Sequence, residues 1–143
     1  IEPGNADRGK TLFHEVQKCN ACHRIGIEGG DVGPNLSDVG KRTTRDYLLE
    51  SVVLPSEKIV KGFETEVVVT KDGLVVTGVV QVEDEYEIVI VDARNSTKIQ
   101  KSDIDEREKS TVSTMPTVAN LLTVEDVRDL VSYLATLQTT GKK

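Results

Sequence analysis

Both cysteines of this chain fall within one pentapeptide, Cys19-Asn20-Ala21-Cys22-His23. No other feature restricts the architecture as much. Two thiols three positions apart, followed directly by an imidazole, form the C-x-x-C-H pattern of a c-type haem attachment site. Each thiol can add to one vinyl group on the same porphyrin edge. A neutral imidazole in the next position lies under the ring, where it can bind iron as the proximal axial ligand. Three alternatives compete with haem. A redox dithiol usually opens a helix in a βαβ setting, and no such pattern surrounds this motif. A structural zinc site needs four ligands, and the chain offers only Cys19, Cys22, His23 and His14. A chance match is rare, since at ordinary Cys and His usage the pentapeptide arises in roughly one chain in a thousand of this length.

Composition is consistent with a chain built around a bound aromatic group. There is no Trp, and there are only two Phe and three Tyr in 143 residues, so the core is aliphatic. A haem would supply the large aromatic body that the side chains lack. The length suits one domain, or one domain carrying a large insertion. No apolar run approaches a membrane span. The chain starts with Ile and shows no secretory signal, which is expected of a mature or trimmed form. Covalent haem attachment implies export, so the expected location is periplasmic or otherwise exported, as a soluble protein. The net charge of −6 lies entirely in residues 62–109, which hold 12 acids and 6 bases, while the remaining residues balance. A nucleic-acid partner would call for a basic footprint, and none is present.

Apolar spacing predicts a helix over residues 5–17, with Asn5 as N-cap, Asp7 in the first turn and Leu12, Phe13 and Val16 on one face. Gly9 lies on that face, where only glycine lets a second helix cross closely. Residues 24–40 are glycine-rich and loop-like. A second helix is expected over about residues 44–54, stopped by Pro55, and a third over 123–138, opened by the capping-box-like Thr123-Val-Glu-Asp126. Between them the texture changes to Val, Ile and Thr. Glu64–Thr70, Leu74–Val82, Tyr86–Val91 and Thr97–Lys101 read as a four-stranded antiparallel meander with an Asp72-Gly73 hairpin turn. Residues 62–109 are therefore expected to be a β-rich insertion, separable from haem binding, within a single domain spanning 1–143. The two ends, Ile1–Gly4 and Thr139–Lys143, read as frayed tails or cut linkers.

An iron held by His23 has a sixth position. The single methionine, Met115, is followed by Pro116, whose fixed φ helps hold the Met loop extended. A thioether is a soft neutral ligand, and His/Met ligation raises the reduction potential. Met115 lies 92 residues after His23, and omitting the 48 residues of the insertion leaves a span of 44, natural for a small haem domain. The competing readings are a gap-filling core methionine, His14 as sixth ligand, and an open sixth site.

With these residues in place the chain resembles class I cytochrome c outside the insertion. The matching features are Gly9 and Phe13 on the first helix, the Cys19–His23 motif, Gly33-Pro34-Asn35-Leu36, Met115-Pro116, and Leu130 and Tyr133 on the last helix. It looks most like the planctomycete-type haem-binding domain, through Leu54-Pro55-Ser56-Glu57-Lys58-Ile59, a β-rich insertion with a Lys-Asp-Gly turn, and Ser113-Thr114-Met115-Pro116. The resemblance implies a mainly α fold with an inserted β-sheet, α+β overall. It implies that the Pro34 carbonyl meets the proximal imidazole, and that Gly9 and Phe13 pack against Leu130 and Tyr133. It also implies a domain at the C-terminal end of a larger polypeptide, so that Ile1 is expected to mark a cut. Leu36, Leu48 and Val52 are candidates to pack the ring. Tyr47, Arg42 and Arg45 are candidates to reach a propionate, although Tyr47 also suits ordinary core and Arg45 a solvated helix start.

The expected cofactor is one haem c bound through Cys19 and Cys22, with His23 and Met115 as iron ligands. The expected function is one-electron transfer, with a redox partner protein or a fused enzyme domain as partner; no catalytic nucleophile or acid–base pair stands out. Two other classes remain open. One is a small-ligand sensor or peroxidase with a displaceable Met115, and the other is a docking module that acts through the acidic insertion.

Overall fold

The computed structural model describes residues 2–139, which divide into two compact units, one formed by residues 2–58 with 115–139 and the other by Ile59–Thr114.

The first unit is helical. Asn5 caps α1 (Ala6–Thr11) by accepting the Arg8 N–H through its side chain. From Leu12 the backbone widens into a π turn, Leu12–Val16, closed by the Gln17 N–H donating to the Leu12 carbonyl at 2.8 Å. The turn buries Leu12 and Phe13 side by side. Val16, expected on the same face, is instead 56% exposed, because a π turn advances fewer degrees per residue than an α turn. Two further elements follow, α2 (Val39–Arg42) and α3 (Arg45–Val53). The stretch expected to be loop thus ends in a short helix. Its Gly40 N–H donates to the Leu137 carbonyl at 2.8 Å, just past the end of the last helix of the unit. Thr44 caps α3 through the Tyr47 N–H. That last helix, α4 (Val124–Ala135), carries the full capping box, with the Thr123 hydroxyl accepting the Asp126 N–H and the Asp126 carboxylate accepting the Thr123 N–H. It stops three residues short of the expected end.

α1 crosses α4 at Gly9. A Cβ built there would lie 2.8 Å from the Tyr133 Cβ and closer still to the Asp129 backbone, so the crossing requires glycine. Next to it Arg8 bridges Asp129 and Asp126, each at 2.5 Å. Asp129 is only 3% exposed and also accepts the Asn5 N–H at 2.6 Å. Its burial works against ionisation, but the Asn5 and Arg8 contacts outweigh it and hold the carboxyl below its ordinary range. Gly4 donates to the Ser132 hydroxyl at 2.7 Å, so the chain is tied down by residue 4 rather than frayed. Thr139 also makes a contact, from its hydroxyl to the Ser37 carbonyl. The rest of the two expected tails, Ile1 and residues 140–143, lies outside the described residues. Leu12, Phe13, Leu48, Val52, Leu130, Tyr133 and Leu134 form the core of this unit.

The second unit is an antiparallel sheet of five strands, one more than expected: β1 (Thr65–Thr70), β2 (Val75–Glu83), β3 (Glu87–Val91), β4 (Ser96–Gln100) and β5 (Ile104–Lys109), in the order β4-β3-β2-β1-β5. β5 reads Ile-Asp-Glu-Arg-Glu-Lys and shows no apolar alternation. It is an edge strand held by backbone pairing to β1, and a charged edge of this kind resists pairing with other chains. Val68, Ile88, Ile90 and Ile99 form the core. Bulges at Val69/Thr70 and Val80/Val82 bend the sheet. The 3₁₀ turn Lys101–Asp103 joins β4 to β5 and is tied to the start of β3 and the end of β1, with the Lys101 N–H donating to the Tyr86 carbonyl and the Lys71 N–H to the Asp103 carbonyl. Arg107 on β5 consequently reaches Glu66 at 2.7 Å and Glu83 at 2.8 Å, and Lys101 reaches Glu83 at 2.8 Å. Arg107 and Lys101 hold the Glu83 carboxyl down to about 2.

Two predictions arise from this architecture. Gly9→Val should destabilise the protein by about 3 kcal/mol or more through overpacking at the crossing, measured by chemical denaturation; an unchanged midpoint would show that the crossing does not need glycine. Glu83 has a lowered folded pKa. Its stabilising contribution is therefore complete above the ordinary glutamate value of about 4.3 and is lost as pH falls from there through about 2. Glu83→Gln should flatten the stability–pH curve in that acid window. A slope identical to that of the native protein would assign the acid sensitivity to other carboxylates.

Candidate haem site

The site starts at Lys18, whose left-handed backbone (φ 53°) turns the chain out of the π turn and into one 3₁₀ turn, Cys19–Ala21. The Cys22 and His23 N–H groups both donate to the Cys19 carbonyl, at 3.2 and 3.0 Å, so this turn places the two thiols and the imidazole on one short rigid segment. Neither cysteine is in a disulfide. Cys19 packs against the helical core, and burial pushes its thiol up to about 11. A catalytic dithiol needs a lowered value and a helix N-terminus. The Cys19 thiol is shifted the other way, and the described elements around it form no βαβ unit.

The imidazole is positioned from behind. His23 Nδ1 lies 2.7 Å from the Pro34 carbonyl oxygen. A carbonyl only accepts, so Nδ1 carries the proton and Nε2 retains its lone pair for a metal. Burial pushes His23 below its ordinary value, which the Pro34 contact partly offsets. The net effect favours a neutral, metal-binding ring, and the contact fixes its tautomer. Gly33 lies against the ring. A Cβ built on it would sit 2.6 Å from His23 Cε1 and 2.9 Å from Nδ1, so a side chain at 33 would displace the imidazole.

The loop carrying Pro34 is tied down at several points. The Gly33 N–H donates to the Cys22 carbonyl and the Leu36 N–H to the Arg24 carbonyl, both at 2.8 Å. Arg24 grips Asp31 through two nitrogens, at 2.8 and 2.7 Å. Ser37, 1% exposed, accepts the Gly26 N–H at 2.7 Å. Gly33 had a signal in sequence, the Gly-Pro step. Ser37 had none, because a serine in a polar loop looks like any other.

The other candidates fall in different places. Leu48 and Val52 lie in the helical core, and Leu36 packs against it, in the same cluster as Cys19. Arg42 braces the proximal loop, with Nε 2.8 Å from Asp38 and Nη2 donating to the Asn35 carbonyl at 2.7 Å. Tyr47 is half-buried with the Lys58 ammonium 5.9 Å from its ring centre, and Arg45 donates to Ser132 at 3.3 Å. Met115 is half-buried and belongs to the same compact unit as His23. His14, the rival sixth ligand and the fourth member of the zinc set, instead meets the Tyr133 hydroxyl through Nε2 at 3.1 Å and stacks edge-on with Phe13. Among the described residues no three His, Cys, Asp or Glu side chains assemble as a metal-ion site, so the four zinc candidates are not gathered. The donors fit a c-type haem: two thiols and one neutral imidazole on a single turn, the imidazole braced by a carbonyl.

Gly33→Ala should push the ring off the Pro34 carbonyl and speed solvent exchange of the Nδ1 proton, measured by NMR, by about tenfold, the loss of roughly one hydrogen bond. An unchanged exchange rate would show that the ring has room to move without losing its partner.

Comparison with known families agrees with this geometry. The family model described as Cytochrome c matches residues 6–68, which span α1, the Cys19–His23 turn, the Pro34 loop and α3. No curated protein matches the chain. Over those residues the chain is similar to cytochrome c, which supports a class I cytochrome c carrying covalently bound haem and acting in electron transfer.

Proposed function

We propose that this protein is a one-electron carrier whose single haem c is bound through Cys19 and Cys22, with His23 and Met115 as axial ligands. The observation that carries this reading is the His23–Pro34 hydrogen bond directly behind the two cysteines. When bound, the haem supplies a reversible one-electron iron couple. The chain holds and tunes it. Pro34 fixes the His23 tautomer and raises its basicity. Leu36, Leu48 and Val52 give the ring an apolar, water-poor flank. Met115 supplies a neutral thioether that favours the reduced state. Arg42 and Tyr47 are proposed at the propionate side, where Arg42 would share its existing contacts.

Residues 62–109 hold the whole net negative charge and are proposed as an insertion within one cytochrome c domain of the planctomycete type. The Leu54–Ile59 and Ser113–Pro116 segments flanking it support this subtype. A protein or fused enzyme domain that exchanges electrons with the haem is the proposed partner, in an exported compartment. Among the described residues no helix is long and apolar enough to cross a membrane.

Met115→Ala should abolish the weak sulfur–iron charge-transfer band at the red end of the oxidised spectrum and lower the reduction potential. Carbon monoxide should leave the spectrum of the reduced native protein unchanged. A band that survives the substitution would assign the sixth position to another group, and rapid carbon monoxide binding would favour a small-ligand sensor.

A further inference from the structure

Arg24 directly follows His23, and its guanidinium is engaged on two sides. Nε and Nη2 donate to the two Asp31 carboxylate oxygens at 2.8 and 2.7 Å, and Nη1 donates to the Ile27 carbonyl at 2.7 Å. The side chain is only 22% exposed. A charge drawn that far from water needs fixed partners, and the planar fork of arginine matches a carboxylate in a way that a lysine ammonium does not. Around it the loop folds into two limbs. The first is the tight turn Ile25–Glu28, closed by two backbone hydrogen bonds at 2.8 and 3.1 Å. The second runs from Asp31 to Leu36, whose N–H returns to the Arg24 carbonyl, and it carries Gly33 and Pro34. Gly29 joins the limbs with a positive φ of 112°, and a Cβ built there would lie 2.9 Å from the Arg24 Cα and closer still to the His23 carbonyl oxygen. One guanidinium thus ties the first limb to the second, three residues before the carbonyl that meets His23.

From this we infer that Arg24 is a positioning residue for the haem ligand, which by fixing Asp31 holds the Pro34 carbonyl against His23 Nδ1. The inference rests on His23 as proximal ligand and adds the lever that sets its strength. A firm Nδ1–H···O=C bond raises the basicity of Nε2 and so favours oxidised iron, whereas a carbonyl free to drift weakens that push. Arg24, through Asp31, restrains the chain before Pro34, as Arg42 does after it at the Asn35 carbonyl. No helix or regular strand stiffens residues 24–36, so their geometry depends on such single contacts. Position and charge make different demands on the potential. Removing a positive charge near the site favours oxidised iron, and removing a negative one favours reduced iron. Loosening the Pro34 carbonyl favours reduced iron in both cases.

The test uses the haem-loaded protein. Solvent exchange of the His23 Nδ1 proton is read by NMR in the reduced form, and the midpoint potential by redox titration. Arg24→Gln and Asp31→Asn should each speed the exchange by about fivefold, the upper range for a part-exposed ion pair, and both should raise the potential. The double variant should do no more than either single change, since each removes the same interaction. Arg24→Lys keeps the charge but cannot form the fork, and should behave like Arg24→Gln. Opposite potential shifts in Arg24→Gln and Asp31→Asn, with Arg24→Lys native, would make the pair a purely electrostatic influence and overturn the positioning role. Native exchange in all three single variants overturns it as well and leaves His23 standing as ligand. Equal acceleration at the amide of Val131, a fully buried residue of α4, would reduce the effect to global opening and also overturn it. A native protein whose NMR spectrum shows no iron-bound imidazole overturns the inference and the ligand reading together.

Discussion

The hydrogen bond from His23 to the Pro34 carbonyl is the contact on which the site depends. An imidazole alone would rotate, exchange tautomers and protonate near neutrality. Here the ring is half-buried, tethered at Nδ1 and flanked by a glycine that leaves no space for a side chain. Holding that carbonyl in place takes the whole stretch from Arg24 to Ser37, with its bidentate Arg24–Asp31 pair and the buried Ser37 hydroxyl. The glycines are concentrated in this stretch because its backbone must pass close to the motif; at Gly30 and Gly33 an added Cβ would collide with Ala21 and His23.

The helices supply the rigid frame. α1 enters the motif through the π turn, and α4 lies across α1 at Gly9. The Arg8–Asp129–Asn5 contacts lock the start of α1 to the middle of α4. Such a partly buried carboxylate gives modest net stability, but it sets the rotation of one helix against the other. Phe13, on the π turn that follows α1, and Cys19 then pack in the same core cluster as Leu130 and Tyr133 of α4.

Much of this was legible in the residues, and unevenly so. The motif, the Gly9 crossing and the α4 capping box are carried by residue types with few alternative uses, and the structure places them where local chemistry suggests, whereas the Pro34 contact was expected only from the resemblance to class I cytochrome c. Four things were hidden, for different reasons. β5 is hidden because an edge strand paired on one side needs no apolar alternation, and its charges resemble a solvated loop. α2 is hidden because four residues carry no periodicity. The π turn leaves the apolar pattern almost unchanged while moving Val16 to the surface. The hydrogen bond between the Thr65 and Thr114 hydroxyls links residues 49 apart, and a pair of threonines offers no local signal. The electrostatic asymmetry was visible in composition alone, whereas the Arg107–Glu66–Glu83–Lys101 network shows that part of the acidic charge is internally paired.

Whether this chain carries haem covalently on one turn is decided by the intact mass of the protein, made in a host able to attach c-type haem and weighed after denaturing extraction. The native chain should show a mass increased by one haem. No iodoacetamide should add to either cysteine, and the haem should be lost under extraction when both Cys19 and Cys22 are replaced by alanine. An unmodified mass with both thiols alkylated would contradict covalent attachment.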